Sequence, residues 1–416
     1  MNLMLLLLAF NIPFGGYLRF ESYARIDSLK QYKKLASSIQ IKISFERGDV
    51  EGYGAFNFVY DRIPDSAYIE PVEAYFSYER GFLGLTAGKR IIRIGTADWL
   101  NPTDVISPKD YTTLHSDIEE FTKGIEEMNF DLSFSNFYAS LYIFPAFTPN
   151  KYPMVPFSVG IIPNVLSVSF FPDSAIKPSY EVKYTQYGLR FQGYLSNIDF
   201  SLTYLSIYDR DFDLDYRVCR TANSSTIVLI PHYNPVKMFG ADFSMTISGW
   251  EFHGEGAYFK TIDEDGTDPA VKNPYIYAIL GGNKTFLDEK VKFGSQVGVK
   301  HIFDFKDSTY YEPSLIKSVV YGFAQKFNYQ NHENTYYGTL TLGYNSPDGS
   351  WSIDGTLVYD FTNNDYFTIP KLMYSPADAV NIIAGLFLSG GKGSSPFSEM
   401  GKHVGKLAFF EIKFNF

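Results

Sequence analysis

The chain of 416 residues has one cysteine, Cys219, and three tryptophans. A lone thiol excludes an intrachain disulfide and any metal site built from several cysteines. No wholly apolar run extends beyond Leu3 to Phe10, so no segment reaches the roughly 20 residues that a membrane-spanning helix needs. Basic residues are outnumbered: 36 Lys and Arg against 46 Asp and Glu give a formal net charge of −10. This argues against a nucleic-acid partner, because a phosphate backbone demands a basic surface. The six histidines, His115, His232, His253, His301, His332 and His403, show neither HExxH nor paired-ligand spacing. No GxSxG turn occurs, and the glycines around Gly390 to Gly393 lack the Lys-Ser/Thr of a phosphate loop. No catalytic residue, metal site or cofactor is therefore assigned, and enzymatic activity is not expected.

What the chain has in quantity is tyrosine and phenylalanine, 33 and 38 residues, which bring the aromatic share to 18%. Mean hydropathy is nonetheless −0.12. A β-barrel in a membrane combines these properties, since half of each strand faces lipid and half a wet lumen. The last residues carry the pattern most clearly. Ala408, Phe410, Ile412, Phe414 and Phe416 share one face; Leu407, Phe409, Glu411, Lys413 and Asn415 share the other. Period two is that of a strand, and a chain ending on an aromatic suits a closing barrel strand better than a terminus fraying into water.

The alternation recurs from end to end. Gln40, Lys42, Ser44 and Glu46 interleave with Ile41, Ile43 and Phe45. Further examples are Glu127–Phe134, Phe239–Ile247, Lys292–Lys300 and Trp351–Asp360. Short turns of hairpin chemistry separate several of them: Arg47-Gly48-Asp49, Ser135-Asn136, Ser248-Gly249 and Ser346-Pro347-Asp348-Gly349. Longer polar stretches separate others: Asp98 to Glu120, Pro145 to Phe157, Arg210 to Ser225, Asp263 to Asn273 and Gly390 to His403. Asp27 to Ser37 reads as a short helix or a turn. Backbone groups in lipid must all be paired, so without spanning helices a closed barrel is the remaining way to cross. The expected fold is all-β, an antiparallel up-and-down transmembrane barrel of about 18 strands, within a range of roughly 16 to 20. Residues 1–15 read as a secretory leader, with a buried first strand as the competing reading; residues 16–416 read as one barrel domain.

The most distinctive internal segment is Gly88 to Asp110, GKRIIRIGTADWLNPTDVISPKD. It resembles porin-like outer-membrane barrels of largely uncharacterised function, in which a basic strand runs into an ADWLNPTD-type loop. Alginate-export and capsule-assembly barrels share that general layout. The ending with Phe410, Ile412, Phe414 and Phe416 resembles the signal by which bacterial outer-membrane barrels are recognised for assembly. The resemblance implies integration in the bacterial outer membrane. Its implied partners are lipid, the barrel-assembly machinery and small hydrophilic solutes, with a homo-oligomer left open.

A carboxylate-rich loop after a basic strand can fold inward and oppose charges across a constriction, as selective pores do. The candidates are Lys89, Arg90 and Arg93 on one side and Asp98, Asp104 and Asp110 on the other. The plainer reading is that Asp98 and Asp104 cap turns while the arginines anchor the loop. Arg90 and Arg93 are three positions apart, so both face the lumen only across a bulge. Candidate lumen-facing residues are Lys42, Glu127, Asp131, Tyr138, Tyr142, Arg190, Asp242, Glu251, Lys292, Lys300 and Asp354, together with Glu73, Glu255 and Lys326. So many charges in a dry sheet core would be too costly unless paired, which argues for water inside. Tyr138 and Tyr142 also admit a sugar-stacking role, against the ordinary interfacial girdle. The expected function is passive or weakly selective diffusion through a water-filled lumen narrowed by inward loops. The alternatives are a substrate-specific oligosaccharide or polysaccharide channel and a plugged structural or surface-binding barrel.

Overall fold

The computed structural model describes residues 13–27, 30–154, 156–392, 397 and 405–416. The expected leader falls mainly on residues 1–12, outside the described ones; Phe14 and Gly15 open the first strand, opposite Ile43 and Lys42. Eighteen strands form the barrel. The first seven are β1 (Phe14–Arg25), β2 (Tyr32–Arg47), β3 (Val50–Asp61), β4 (Ser66–Arg80), β5 (Leu83–Arg90), β6 (Ile125–Phe134) and β7 (Phe137–Phe144). Next come β10 (Gln186–Tyr194), β11 (Ile198–Tyr208), β14 (Pro235–Ile247), β15 (Trp250–Lys260), β16 (Tyr275–Phe286) and β17 (Val291–Ile302). The last are β18 (Asn334–Asn345), β19 (Trp351–Asp360), β20 (Asp365–Ala377), β21 (Val380–Gly391) and β22 (Leu407–Asn415). Each pairs antiparallel with its neighbour, and β22 returns to β1 with Tyr17 opposite Asn415 and Arg25 opposite Leu407. The seam extends to the last residue, where Gly16 and Phe416 exchange backbone hydrogen bonds at 3.0 Å. Closure removes every sheet edge from lipid.

The pleat sorts the side chains as the alternation requires. Phe410, Ile412 and Phe414 of β22 point outward with Leu18 and Phe20 of β1, while Glu411 and Lys413 point inward with Arg19 and Glu21. The outward face is apolar and exposed on strand after strand, for example at Ile69, Phe130, Leu202, Leu280 and Leu342. Such a belt is stable only against hydrocarbon, and the chain is an integral transmembrane barrel. Pro71, which has no N–H to give, sits where the β3–β4 register slips between Ala55 and Phe56.

The connections divide by end. Short turns such as those at Gly48, Ser135, Ser248–Gly249 and Gly349 use left-handed backbone angles and lie at the end that also holds both ends of the barrel sheet. The opposite end carries segments 91–124, 145–185, 209–234, 261–274 and 303–333. Three sequence expectations are corrected here. Arg210 to Ser225 is not a simple loop, because it contains β12 (Asp213–Arg220). Asp27 to Ser37 is largely strand, since β2 begins at Tyr32. Lys326 is no lumen residue but lies on a helix, Leu315–Asn328.

These outer segments build a cap. β12 pairs with β13 (Ser225–His232), which lies parallel to β9 (Leu166–Phe170), itself paired with β8 (Phe157–Ile162). The helix starts at the Ser314 cap and stops at Tyr329, whose backbone is left-handed. Its Val320 and Ala324 pack with Val168, Phe170, Leu214, Ile227 and Leu229 into a dry core separate from the barrel.

Candidate functional site

β5 ends at Arg90, and the chain then leaves the wall and crosses the lumen as segment 91–124. Its first turn is held by Glu73, whose Oε1 accepts from Ile91 N at 2.9 Å. The outgoing and returning legs are tied side chain to backbone. Ile92 N donates to Ser107 Oγ at 2.8 Å, and Asn101 Nδ2 donates to Ile94 O at 3.1 Å. Asn101 Oδ1 accepts from Asp104 N at 2.9 Å, so the Asn-Pro-Thr-Asp motif is an Asx-type turn. Ile92, Ile94 and Ile106 face the wall and pack with Phe144, Leu205, Met238 and Phe259.

The tip is fastened to β15–β17. Glu255 Oε1 accepts the backbone amides of Thr96 and Ala97 at 2.5 and 2.6 Å, and its Oε2 lies 3.1 Å from Thr103 Oγ1. Gln296 Oε1 accepts from Leu100 N at 3.1 Å. Gly95 has φ +93°, and a Cβ there would sit 2.2 Å from Glu255 Oε1, so only glycine allows this approach. The far part of the segment docks on β1, β2 and β22. Ser116 Oγ donates to Glu411 at 2.6 Å, Lys34 Nζ donates to Leu114 O at 2.6 Å, and Arg19 pairs with Glu120 at 2.5 Å. Lys34 also pairs with Glu21 at 2.7 Å. Leu114, Ile118 and Trp99 pack there against Tyr23, Phe387 and Phe409. The segment thus bridges opposite walls.

Two titrating groups of this latch are perturbed. Burial and the Lys34 charge lower His115, against the pull of Glu120 at 3.1 Å and of Glu21. Burial alone would raise Glu120, but His115 and Arg19 hold it far below the usual carboxylate range.

The candidate constriction residues are distributed as follows. Arg90 pairs with Glu127 at 2.6 Å and lies over Tyr75. Arg93 is beyond the strand, so no bulge is needed; it reaches Glu119 at 3.6 Å across the two legs. That pair is open to water, its side chains 44% and 68% exposed. Lys89 takes the outward register opposite Glu126, away from the lumen. Asp98 is exposed and accepts from Asn283 Nδ2 at 2.9 Å. Asp104 pairs with Lys109 at 3.6 Å. Asp110 pairs with Lys151 at 3.2 Å and bonds Thr112, which together hold it below its ordinary value although burial opposes this. Among the described residues no ion pair joins the three bases to the three aspartates.

Apart from Lys326, the lumen candidates take the inward register. Asp131 bonds Asn129 and Ser140 at 2.6 and 2.5 Å, and Tyr138 and Tyr142 share the Ser140 face. Arg190 lies 3.9 Å from Asp242, with Ser201 between them. Asp354 pairs with Lys371 at 3.6 Å. Lys42, Glu251 and Lys292 stand exposed on inward positions towards the short-turn end, and Lys300 lies over Tyr275. The latch residues Arg19, His115, Ser116, Glu120 and Glu411 and the tip anchor Gln296 were not singled out from sequence. The strict alternation of Arg19 with Glu21, and the Glu119-Glu120 pair closing the long loop, were the available signals.

No protein family and no curated protein matches the sequence. Solved barrels do match in shape. OccK1 (OpdK) of Pseudomonas aeruginosa superposes with a TM-score of 0.56 at 7% identity, over 97% of this chain and 98% of that one. OccK11 (OpdR) of the same organism gives 0.53 at 9% identity, over 97% and 96%. A structure of OpdK with vanillate matches as well as the first, with a TM-score of 0.56. At such identities the likeness is one of fold: a closed 18-stranded barrel of the outer-membrane type.

Proposed function

We propose that the protein is an integral outer-membrane channel through which small hydrophilic solutes and ions diffuse, with little selectivity. The observation that carries this is segment 91–124, tied to opposite walls and presenting Arg93, Glu119 and Asp98 to water inside the barrel. Exposed inward charges such as Lys42, Glu251 and Lys292 continue the wet surface towards the short-turn end. Mixed charge at a narrowing sets ion preference without a tight site, and enzymatic turnover has no part in the reading. The fold of the Pseudomonas barrels is consistent with it. The outward face of β22, with Phe410, Ile412, Phe414 and Phe416, is proposed as the assembly signal, and the part of residues 1–15 that precedes the first strand as the leader.

The test is single-channel recording of the refolded protein in a planar bilayer under a salt gradient. Steady ion currents are expected, and Arg90→Glu with Arg93→Glu should shift the reversal potential towards cations. Silence from folded barrels would overturn the channel reading; an unmoved reversal potential would remove these arginines from the selectivity region.

A further inference from the structure

Above segment 91–124, on the cap side, tyrosines converge from several elements. Tyr111 of the segment stacks on Tyr152 of the cap, ring centroids 5.3 Å apart. Tyr329, which ends the cap helix, lies close enough to act electrostatically on both hydroxyls. Lys300 of β17 reaches into the same place: its Nζ is 4.5 Å from the centroid of the Tyr275 ring and 3.5 Å from Tyr329 O. Tyr111 and Tyr329 keep 41% and 47% of their surface open while protein surrounds them closely enough to raise both hydroxyls by desolvation. Both rings therefore border the wet lumen between segment 91–124 and the cap, and this space is the chamber they line.

Two properties of the chamber point to a ligand. Lys300 makes no ion pair among the described residues, unlike Lys34, Arg90 and Lys272. The carboxylates whose charge it feels, Asp209 and Asp211, are already engaged. Asp209 pairs with Lys272 at 3.0 Å, and Asp211 accepts from Asn150 at 2.6 Å and from the Tyr152 hydroxyl. The hydroxyls of Tyr111, Tyr275 and Tyr329 have no protein partner among the described residues. An ammonium held only by a carbonyl and a ring face, with no carboxylate beside it, favours an anion. Ring faces accept a flat saccharide or aromatic surface, and several unengaged phenols suit a ligand with a hydroxyl on most of its carbons. An aromatic acid would leave them to water.

We propose that this chamber is a binding subsite for an anionic monosaccharide, its ring against Tyr111 and Tyr329 and its carboxylate or phosphate on Lys300. The proposal rests on the channel reading in one respect: a solute entering from the cap side meets the chamber before the narrowing.

The experiment is titration calorimetry of the detergent-folded protein with glucuronate, glucose 6-phosphate, glucose and benzoate, run beside single-channel recording. Both anionic sugars should bind saturably, with glucose and benzoate weaker by about tenfold or more. Lys300→Met should weaken the anionic sugars by about tenfold and leave glucose unchanged, while Lys300→Arg retains them. The stronger of the two anionic sugars identifies carboxylate or phosphate as the recognised group. Equal binding of glucose, tighter binding of benzoate, or no effect of Lys300→Met in a variant that still migrates as a folded barrel would overturn the proposal. Ion currents without sugar binding would overturn it and leave the channel standing; sugar binding without currents would do the reverse.

Discussion

The carboxylate of Glu255 accepts the backbone N–H of Ala97 at 2.6 Å, a bond across the inside of the barrel between residues 158 positions apart. Thr96 N and Thr103 Oγ1 share the same carboxylate; beside the Gln296 and Asn283 contacts, this one wall residue holds three donors of the tip. Replacing it by alanine leaves these donors facing an enclosed site, at a cost of about 1–3 kcal/mol for each that finds no water. Glu255→Ala is therefore expected to release the tip, giving larger open-channel noise and a higher mean conductance in bilayer recordings. Conductance and noise equal to the parent's would show that the segment holds its place without Glu255.

How far the sequence foretold this architecture depends on range. Alternation is local, so β22 with Phe410, Ile412 and Phe414 outward was legible residue by residue, as was the 18-stranded order of magnitude. A turn in the loop was legible, but the sequence points to Asp98 and Asp104 as its caps, whereas Asn101 closes it through Asp104 N. The partners of Asp98, Asp104 and Asp110 were not legible. Each is satisfied by a residue whose approach is decided by barrel closure or by the path of the segment: Asn283, Lys109 and Lys151. The cap escaped for a related reason. β9 and β13 pair in parallel, which needs a long crossover, and their short apolar runs carry no periodic mark of a sheet outside the barrel.

Asp98, Asp117 and Glu119 are exposed acidic groups of the segment, and Glu119 pairs with Arg93. Removing two of these charges while keeping shape, as Asp98→Asn with Glu119→Gln, leaves Arg93 without its acidic partner. The reversal potential under a salt gradient should move towards anion preference. The shift should shrink at high ionic strength, since the Debye length falls from about 10 Å at 0.1 M to about 3 Å at 1 M. A shift that did not respond to salt would point to altered pore geometry instead.

The latch on β1, β2 and β22 should loosen in acid. The groups facing His115 and Glu120 are Arg19, Glu21 and Lys34, with Glu411 behind Ser116 and within reach of the Glu120 charge. His115 is held below its ordinary value, so docking favours the neutral ring, whereas a released ring titrates near about 6.5. Above that pH both states carry the same neutral ring and docking is at full strength; below it the released state binds the extra proton, and docking weakens as pH falls. Glu120, held below its ordinary value, contributes fully above about 4.5 and loses that contribution at lower pH. Gating noise should therefore rise between about pH 7 and 5, and His115→Asn should flatten that step. A noise level constant over this range would place the latch outside the conduction path.

Lys272 joins the cap to the barrel rim at a point almost closed to water. Its ammonium lies 3.0 Å from Asp209, 3.6 Å from Asp213 and 2.6 Å from Asp211 O, and its side chain is buried. Asp213 is held further by Asn234 and by the Lys272 amide, each at 2.9 Å. Lys272→Met removes the only cation of the pair of contacts and leaves two carboxylates enclosed, which costs about 3–5 kcal/mol when a buried pair is broken on one side. The barrel, with its own core and hydrogen-bond ladders, should stay folded and keep its heat-modifiable migration, while protease cuts the cap segments faster. The effect should depend on pH in a defined sense. Burial already pushes Asp209 up even beside Lys272; without the cation it rises further and takes a proton more readily. A carboxyl whose folded value lies above its unfolded one favours the folded state at low pH and loses that advantage as pH rises. The Lys272→Met cap should thus resist protease better at pH 5 than at pH 8, and equal cleavage at both would mean that the released carboxylates had found water rather than protons.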